Sequence, residues 1–279
     1  MKPETTNITP GAAATAADGA DLARNLAQYD THWSSRFRKK WNYSSQGKVR
    51  RFRHLMRRRG LLRQTGLRVF DQGFGLGLML FCFDRSSRLA GLELSRSAVE
   101  AAKAEAETLG FAEADLRQFE PGCPLPPEWH GCFDVVISSH VLEHIADAEG
   151  VLRTLVPLLR PGGTACLAVP INEVPGEDLN HFYFFTPASL ASLASRAGLV
   201  PEESVECDRL WDLLCPLAYA LQRRTTAGLR LASTVVNALT GILPLPALDL
   251  LDALLRPLGF KNRQVFLVCR RPAGEQAAS

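Results

Sequence analysis

The stretch VFDQGFGLG, residues 69–77, decides how this chain folds. Val69 and Phe70 read as the end of a buried strand, and Asp71 closes it. Gly73, Gly75 and Gly77 follow on alternate positions, where glycine lets the backbone bend sharply and lie close to a ligand. The dinucleotide spacing GxGxxG needs a glycine at position 78, and that residue is Leu78. The turn is therefore D-x-G-x-G-x-G, and it points away from a nicotinamide dinucleotide.

Working outward, the chain alternates strand and helix patterns across residues 66–207. RLAGLELS is a second strand. SRSAVEAAKAEAETLG opens on a Ser cap and stops at Gly110, as a helix should. EADLRQFE is a third strand. CFDVVISSH is apolar throughout, as a strand buried on both faces is. LGLMLFCFD is expected to open a helix directly after the glycine turn. DAEGVLRTLVPLLRPGG is expected to be a helix ended by Pro-Gly-Gly. TACLAVP is a fifth strand, and TPASLASLASRAGL a helix with Thr186 as cap and Pro187 in its first turn. Such alternation predicts a doubly wound α/β sheet, mostly parallel, with ligands at the carboxyl ends of its strands. RQVFLVCRR supplies the last strand.

Glu93 ends the second strand, 22 residues after Asp71. A carboxylate there can take both hydroxyls of a ribose. Turn and acid together suggest an adenosine-containing cofactor.

These residues resemble the class I S-adenosylmethionine-dependent methyltransferases, small-molecule branch. VFDQGFGLG is similar to their first motif and GLELS to their second. FDVVISSHVLEHI resembles the fourth-strand motif, LLRPGGTACLAVP the entry to the fifth strand, and HFYFFTPASLASLASRAGL the loop and helix after it. Gln72 and Phe74 are unusual fillers of the first motif. The resemblance implies a Rossmann-like sheet with an antiparallel last strand, and S-adenosyl-L-methionine as methyl donor. It implies that Asp71, Gly73, Phe74, Gly75 and Gly77 hold the methionine part, that Glu93 holds the ribose, and that Leu94 lies near the adenine. Asp115 and Glu120 compete for the adenine amino group. Ser138, Ser139 and His140 would line the methyl end, and Tyr29 would face the cofactor from a lid.

Methyl transfer is an in-line displacement at an already activated carbon, so positioning supplies most of the rate. A base is needed only for a weakly acidic acceptor. His140 and His181 are the candidates. His144 lies one helical turn beyond His140 and reads as a structural contact. His181 is followed by Phe182, Tyr183, Phe184 and Phe185, which can shape an aromatic pocket or anchor the loop. The expected reaction is methylation of a small-molecule oxygen, with nitrogen and carbon acceptors open.

Residues 1–20, rich in Ala, Thr, Gly and Pro, read as a disordered leader. Residues 21–65 read as a helical lid. They include a basic stretch, residues 36–64, that holds a dozen Lys and Arg, and no acid lies between Thr31 and Phe70. The alternative is an RNA methyltransferase with this stretch as its footprint; no RNA-binding module accompanies it, so nucleic acid is not the expected partner. Residues 66–207 with 262–272 form the expected core. Residues 208–261 are an apolar helical insertion that caps the pocket, makes a homodimer contact, or rests peripherally on a membrane. Its longest uncharged run contains Asn237, Gly241, Pro244 and Pro246, which argues against a span. The net charge of +3 implies no partner by itself. Seven cysteines without a CxxC pair suggest reduced thiols, a cytoplasmic location and no metal site.

Overall fold

A computed structural model describes residues 43–120, 123–173, 181–213 and 243–273. Seven strands form one sheet: β1 (Arg68–Gln72), β2 (Arg88–Glu93), β3 (Glu113–Gln118), β4 (Phe133–Ser139), β5 (Leu159–Pro170), β6 (Val200–Cys207) and β7 (Gln264–Arg270). Their order is β3-β2-β1-β4-β5-β7-β6. The pairs among β1 to β5 are parallel, and β7 runs antiparallel to both β5 and β6. The Rossmann-like sheet with its antiparallel last strand is as expected. The chain reverses direction of winding between β1 and β4, and that crevice is where an open α/β sheet binds ligands.

Helices cover both faces. On one, Phe70, Val136, Leu167 and Leu267 meet α3 (Ala148–Leu155) and α4 (Pro187–Arg196). On the other, Val69, Ile137, Cys166 and Phe266 meet α1 (Tyr43–Arg58) and α2 (Arg96–Thr108). Local chemistry sets the helix starts. The Ser95 hydroxyl accepts from Ala98 N at the start of α2. Thr186 and Ser189 form a reciprocal capping box on α4, with Pro187 in the first turn.

Two expectations need correction. LGLMLFCFD does not form an α-helix; it is a run of turns with one 3-10 turn at Leu80–Cys82. Gly73, Gly75 and Gly77 all have positive φ, at 69°, 54° and 73°. The run also lacks a solvent face, since Leu76, Met79, Leu80 and Phe83 are buried. It packs as an apolar plug beneath α1, where the Phe52 and Phe83 rings meet edge-on at 6.0 Å. Secondly, α3 ends at Leu155, before Pro-Gly-Gly. Pro157, without an N–H, tightens the chain into a 3-10 turn, Val156–Leu158, and β5 begins at Leu159.

Of the region expected as a lid, residues 21–42, Tyr29 among them, lie outside the described residues. Its remainder contains α1, whose Phe52, Leu55 and Met56 are buried in the core while Arg53, His54, Arg57 and Arg58 face solvent. The leader, residues 1–20, and residues 214–242 of the insertion also lie outside them. The described end of the insertion contains α5 (Leu245–Leu255), whose Asp252 accepts backbone hydrogens from Asp208 and Leu210 at 3.0 and 3.2 Å.

Candidate active site

The glycine turn is stitched to the strand beside it. Gly73 N donates to Leu92 O at 2.7 Å. Gly75 N donates to Glu93 Oε2 at 2.8 Å, and Ser95 N to Glu93 Oε1 at 3.0 Å. Glu93 is buried. A carboxylate oxygen carries a second lone pair, so Glu93 can hold the turn and still accept a ligand hydroxyl. The backbone leaves no room for side chains here. A Cβ on Gly73 would stand 2.4 Å from Val141 Cγ2, and one on Gly77 2.6 Å from the Phe81 ring. Phe74 points down into the core, where its ring occupies the space a Cβ on Gly91 would need, at 2.7 Å. Phe74 therefore supports the turn from beneath.

Three buried polar atoms at the ends of β1 and β4 have no hydrogen-bond partner among the described residues: Asp71 Oδ1, Gln72 Oε1 and Ser138 Oγ. Gln72 and Ser138 are register partners across β1 and β4. Buried polar atoms are ordinarily paired, so orphans at these adjoining strand ends mark a place for a polar ligand. Burial pushes the Asp71 carboxyl well above the usual range, and the Glu93 carboxylate adds to this. A cationic ligand group would restore its charge. Ser139 and Leu94 stand at the same strand ends, half-buried. The pairing of Gln118 with Glu93 brings the end of β3 alongside, and Phe119 N donates to Glu93 O at 2.8 Å.

The two competing acids on this side differ. Asp115 lies mid-strand, opposite Ala90, and is held by Arg117 through contacts of 2.7 and 2.6 Å. Arg117 in turn stacks over Trp129. Glu120, two residues past β3, is exposed at the strand ends, with Cys123 beside it.

Beyond β4, His140 adopts a left-handed backbone, φ 55°, and its N–H donates to Ala168 O. Its Nε2 lies 2.8 Å from Gln264 Oε1 on β7 and its Nδ1 3.2 Å from Glu143 Oε1. Both ring nitrogens face protein groups, so His140 ties β4 to β7. Burial and Lys48 lower its pKa, against the pull of Glu143 and Gln264. His181 pairs through Nδ1 with Glu173 Oε2 at 2.9 Å, and its ring lies edge-on to that of His144 at 4.6 Å. Phe182 N donates to Glu143 O at 2.7 Å, and Tyr183 OH to Ala146 O. These bonds fasten the loop after β5 onto the turn after β4.

Two residues went unmarked in the sequence. Gln72 read only as an odd filler, and Lys48 was one basic residue among many. Burial pulls the Lys48 ammonium down to about 8, while Glu143 and Asp208 pull it back up. Asp208 is itself pushed up to about 6 by burial and Asp252, against Arg51 and Lys48. Other cations of this region are paired inward: Arg51 with Asp249, and Arg59 with Glu202 and Glu203.

Sheet order, glycine turn and strand-end acid together define a class I S-adenosylmethionine-dependent methyltransferase fold. Residues 70–167 match the family model of the methyltransferase domain. A ubiquinone biosynthesis O-methyltransferase from Ralstonia nicotianae is 30% identical over 157 residues, 50% of this chain and 65% of that protein. One from Caulobacter sp. is 34% identical over 114 residues, 37% of this chain and 40% of that protein. The chain thus spans less than two thirds of the length of these curated relatives. Among solved structures, the cyclase SpnF superposes with a TM-score of 0.54 at 18% identity, over 80% of this chain and 81% of that one. Phosphoethanolamine N-methyltransferase 2 of Haemonchus contortus, in complex with S-adenosyl-L-methionine, gives 0.53 at 16%, over 79% of this chain and 52% of that one. At such identities the likeness shows the fold, and a cyclase among these neighbours illustrates that fold alone does not fix activity.

Proposed function

We propose that this chain is an enzyme that transfers a methyl group from S-adenosyl-L-methionine to an oxygen of a small-molecule acceptor. The observation that carries the cofactor half is the orphaned, buried Asp71 Oδ1 beside a turn of three positive-φ glycines. When bound, the cofactor supplies a methyl carbon activated by a sulfonium. Asp71, Gln72 and Ser138 offer unpaired acceptors to its polar groups, Glu93 to its ribose, and Glu120 to its adenine. The plug 76–83 and α1 keep the far side of the turn dry. The oxygen acceptor is supported by the relatives named as ubiquinone biosynthesis O-methyltransferases. A small acceptor suits the loop 181–185, which packs onto the Leu142–His144 turn and sets exposed Phe182 and Phe184 beside it.

Calorimetry with S-adenosylhomocysteine tests the cofactor half. Transfer of labelled methyl to a panel of phenols, catechols and carboxylic acids tests the acceptor half. The basic stretch that suggests RNA is already partly consumed by inward ion pairs at Arg51 and Arg59; salt-dependent RNA binding would revive that reading. The proposal includes a cytoplasmic location and leaves dimerisation to sedimentation. Among the described residues, no helix is long and apolar enough to cross a membrane.

A further inference from the structure

Resting on the oxygen-acceptor reading, we propose that Lys48, carried by α1 to the carboxyl ends of β4 and β6, takes the proton from the acceptor hydroxyl. The helix fixes where Lys48 stands. At its end, Arg58 Nη1 lies 3.2 Å from Glu203 Oε1, and Arg59 pairs with Glu202, so α1 finishes beside the first half of β6. From Arg58 back to Lys48 is about 15 Å of helix. From Glu203 on to Asp208 is about 16 Å of extended chain. The two lengths bring Lys48 level with Asp208 at the carboxyl edge, and the charges of Asp208 and Glu143 both act on it. Lys48 in turn acts on His140, the first residue past β4, two residues beyond the orphaned Ser138 Oγ.

The second observation is which basic groups here are already committed. Both ring nitrogens of His140 face protein groups, Gln264 at 2.8 Å and Glu143 at 3.2 Å. His181 Nδ1 meets Glu173 at 2.9 Å. Arg51, one turn along α1, is paired with Asp249 at 2.5 Å. Lys48 is half-buried and makes no hydrogen bond or ion pair among the described residues. Its four-carbon stem lets the amine swing toward a bound acceptor. The groups that face it are His140 and Glu143 after β4 and Asp208 after β6, with Arg51 beside it and Asp252 of α5 behind Asp208.

A lysine base must spend part of its time neutral. Burial brings the Lys48 ammonium down to about 8, within reach of neutral pH. The neutral amine takes the hydroxyl proton, and the oxygen–hydrogen bonding pair stays on oxygen. That oxygen forms the new bond to the methyl carbon, and the carbon–sulfur pair departs onto sulfur. Glu143 and Asp208 flank the ammonium so formed, and it returns its proton to solvent before the next turnover.

The test follows methyl transfer to catechol and to 4-nitrocatechol by the full-length chain, at a series of pH values on either side of the Lys48 value. The nitro group leaves one hydroxyl ionised at neutral pH, so that acceptor needs no base. With catechol, kcat should rise with pH through about 8 and then level off. Lys48→Met and Lys48→Arg should each lose at least about a hundredfold in kcat with catechol, and less than about threefold with nitrocatechol. Arginine keeps the charge and holds its proton, so it separates a base from a counter-ion. Asp208→Asn should move the rising limb to lower pH, because Asp208 holds the ammonium up. Lys103→Met, exposed on α2, should leave kcat unchanged. S-adenosylhomocysteine binding is measured on each variant as a readout of fold. An arginine variant as active on catechol as wild type overturns the base. So does an equal loss on both catechols. A wild-type chain that binds S-adenosylhomocysteine and methylates neither catechol sinks the oxygen-acceptor reading and the base with it.

Discussion

Gly75 N donates to Glu93 Oε2 at 2.8 Å, so the acid at the end of β2 is a structural member of the glycine turn on β1. Its other oxygen holds Ser95 N at the start of α2. Glu93→Ala therefore strips two buried N–H groups of their acceptor as well as removing the candidate ribose ligand. Each orphaned group costs about 1–3 kcal/mol. The expected outcome is a lowered melting temperature together with at least a tenfold loss, roughly 1.4 kcal/mol, in S-adenosylhomocysteine affinity. Glu93→Gln, which keeps one acceptor oxygen, should fall between. Scanning fluorimetry and calorimetry on the pair check both, and an unchanged affinity for the alanine variant would remove Glu93 from the site.

The approach of Val141 to the turn can be tested by adding one carbon. Gly73→Ala places a Cβ 2.4 Å from Val141 Cγ2 at a φ of 69°. Steric overlap and left-handed strain then add. Val141→Ala in the same chain relieves the overlap and leaves the backbone strain of about 1–2 kcal/mol. The double variant should be more stable than Gly73→Ala and less stable than Val141→Ala alone. Urea unfolding of the four chains measures this; full recovery would mean that φ at residue 73 is not held by its surroundings.

What the sequence made legible is the part governed by short-range rules. The glycine spacing, the acid 22 residues on, the caps at Ser95 and Thr186 and the doubly buried β4 each follow from local pattern. What it hid depends on contacts between distant segments. Residues 76–84 have helix-forming composition, yet the plug is set by the α1 residues that cover it. Asp115 and Glu120 are equal in sequence, and Arg117 separates them only because both it and Asp115 point to one face of β3. The cysteines gave no metal pattern. His144 meets His181 only because the loops after β4 and β5, far apart in sequence, are fastened together. Lys48 lies far from β4 along the chain, and only the packing of α1 brings its charge to Glu143.

Asp71 should trade stability for binding. Its folded pKa is raised by burial and by Glu93, so its contribution to stability is present below the unfolded value and lost as pH rises through the folded one. At neutral pH the ionised carboxylate is therefore a cost to the ligand-free chain. Asp71→Asn removes that cost and keeps the shape. The melting temperature at pH 7 should rise by a few degrees, and S-adenosylhomocysteine affinity should drop about tenfold or more. Thermal melts from pH 4 to 8 should show the advantage of the asparagine variant growing with pH. A variant less stable than wild type at pH 7 would show that Asp71 is satisfied without ligand.

Lys48 gives the opposite sign on the alkaline side. Burial lowers its pKa from the usual lysine value to about 8, with Glu143 and Asp208 holding it up in part. For a base lowered in this way, stability is highest above the unfolded pKa and declines as pH falls through the folded value. Below about 8 the chain carries a desolvated ammonium. Lys48→Met fills the same space without the charge, so it should melt higher than wild type at pH 7, with the gap closing as pH approaches 10. The same substitution removes one cause of the lowered His140 pKa, so the His140 imidazole should titrate higher in the variant, as nuclear magnetic resonance would read. A gap that does not change with pH would place the Lys48 ammonium in water. A His140 titration that does not move would place it away from the ring. Either result would take α1 out of the electrostatics of the site.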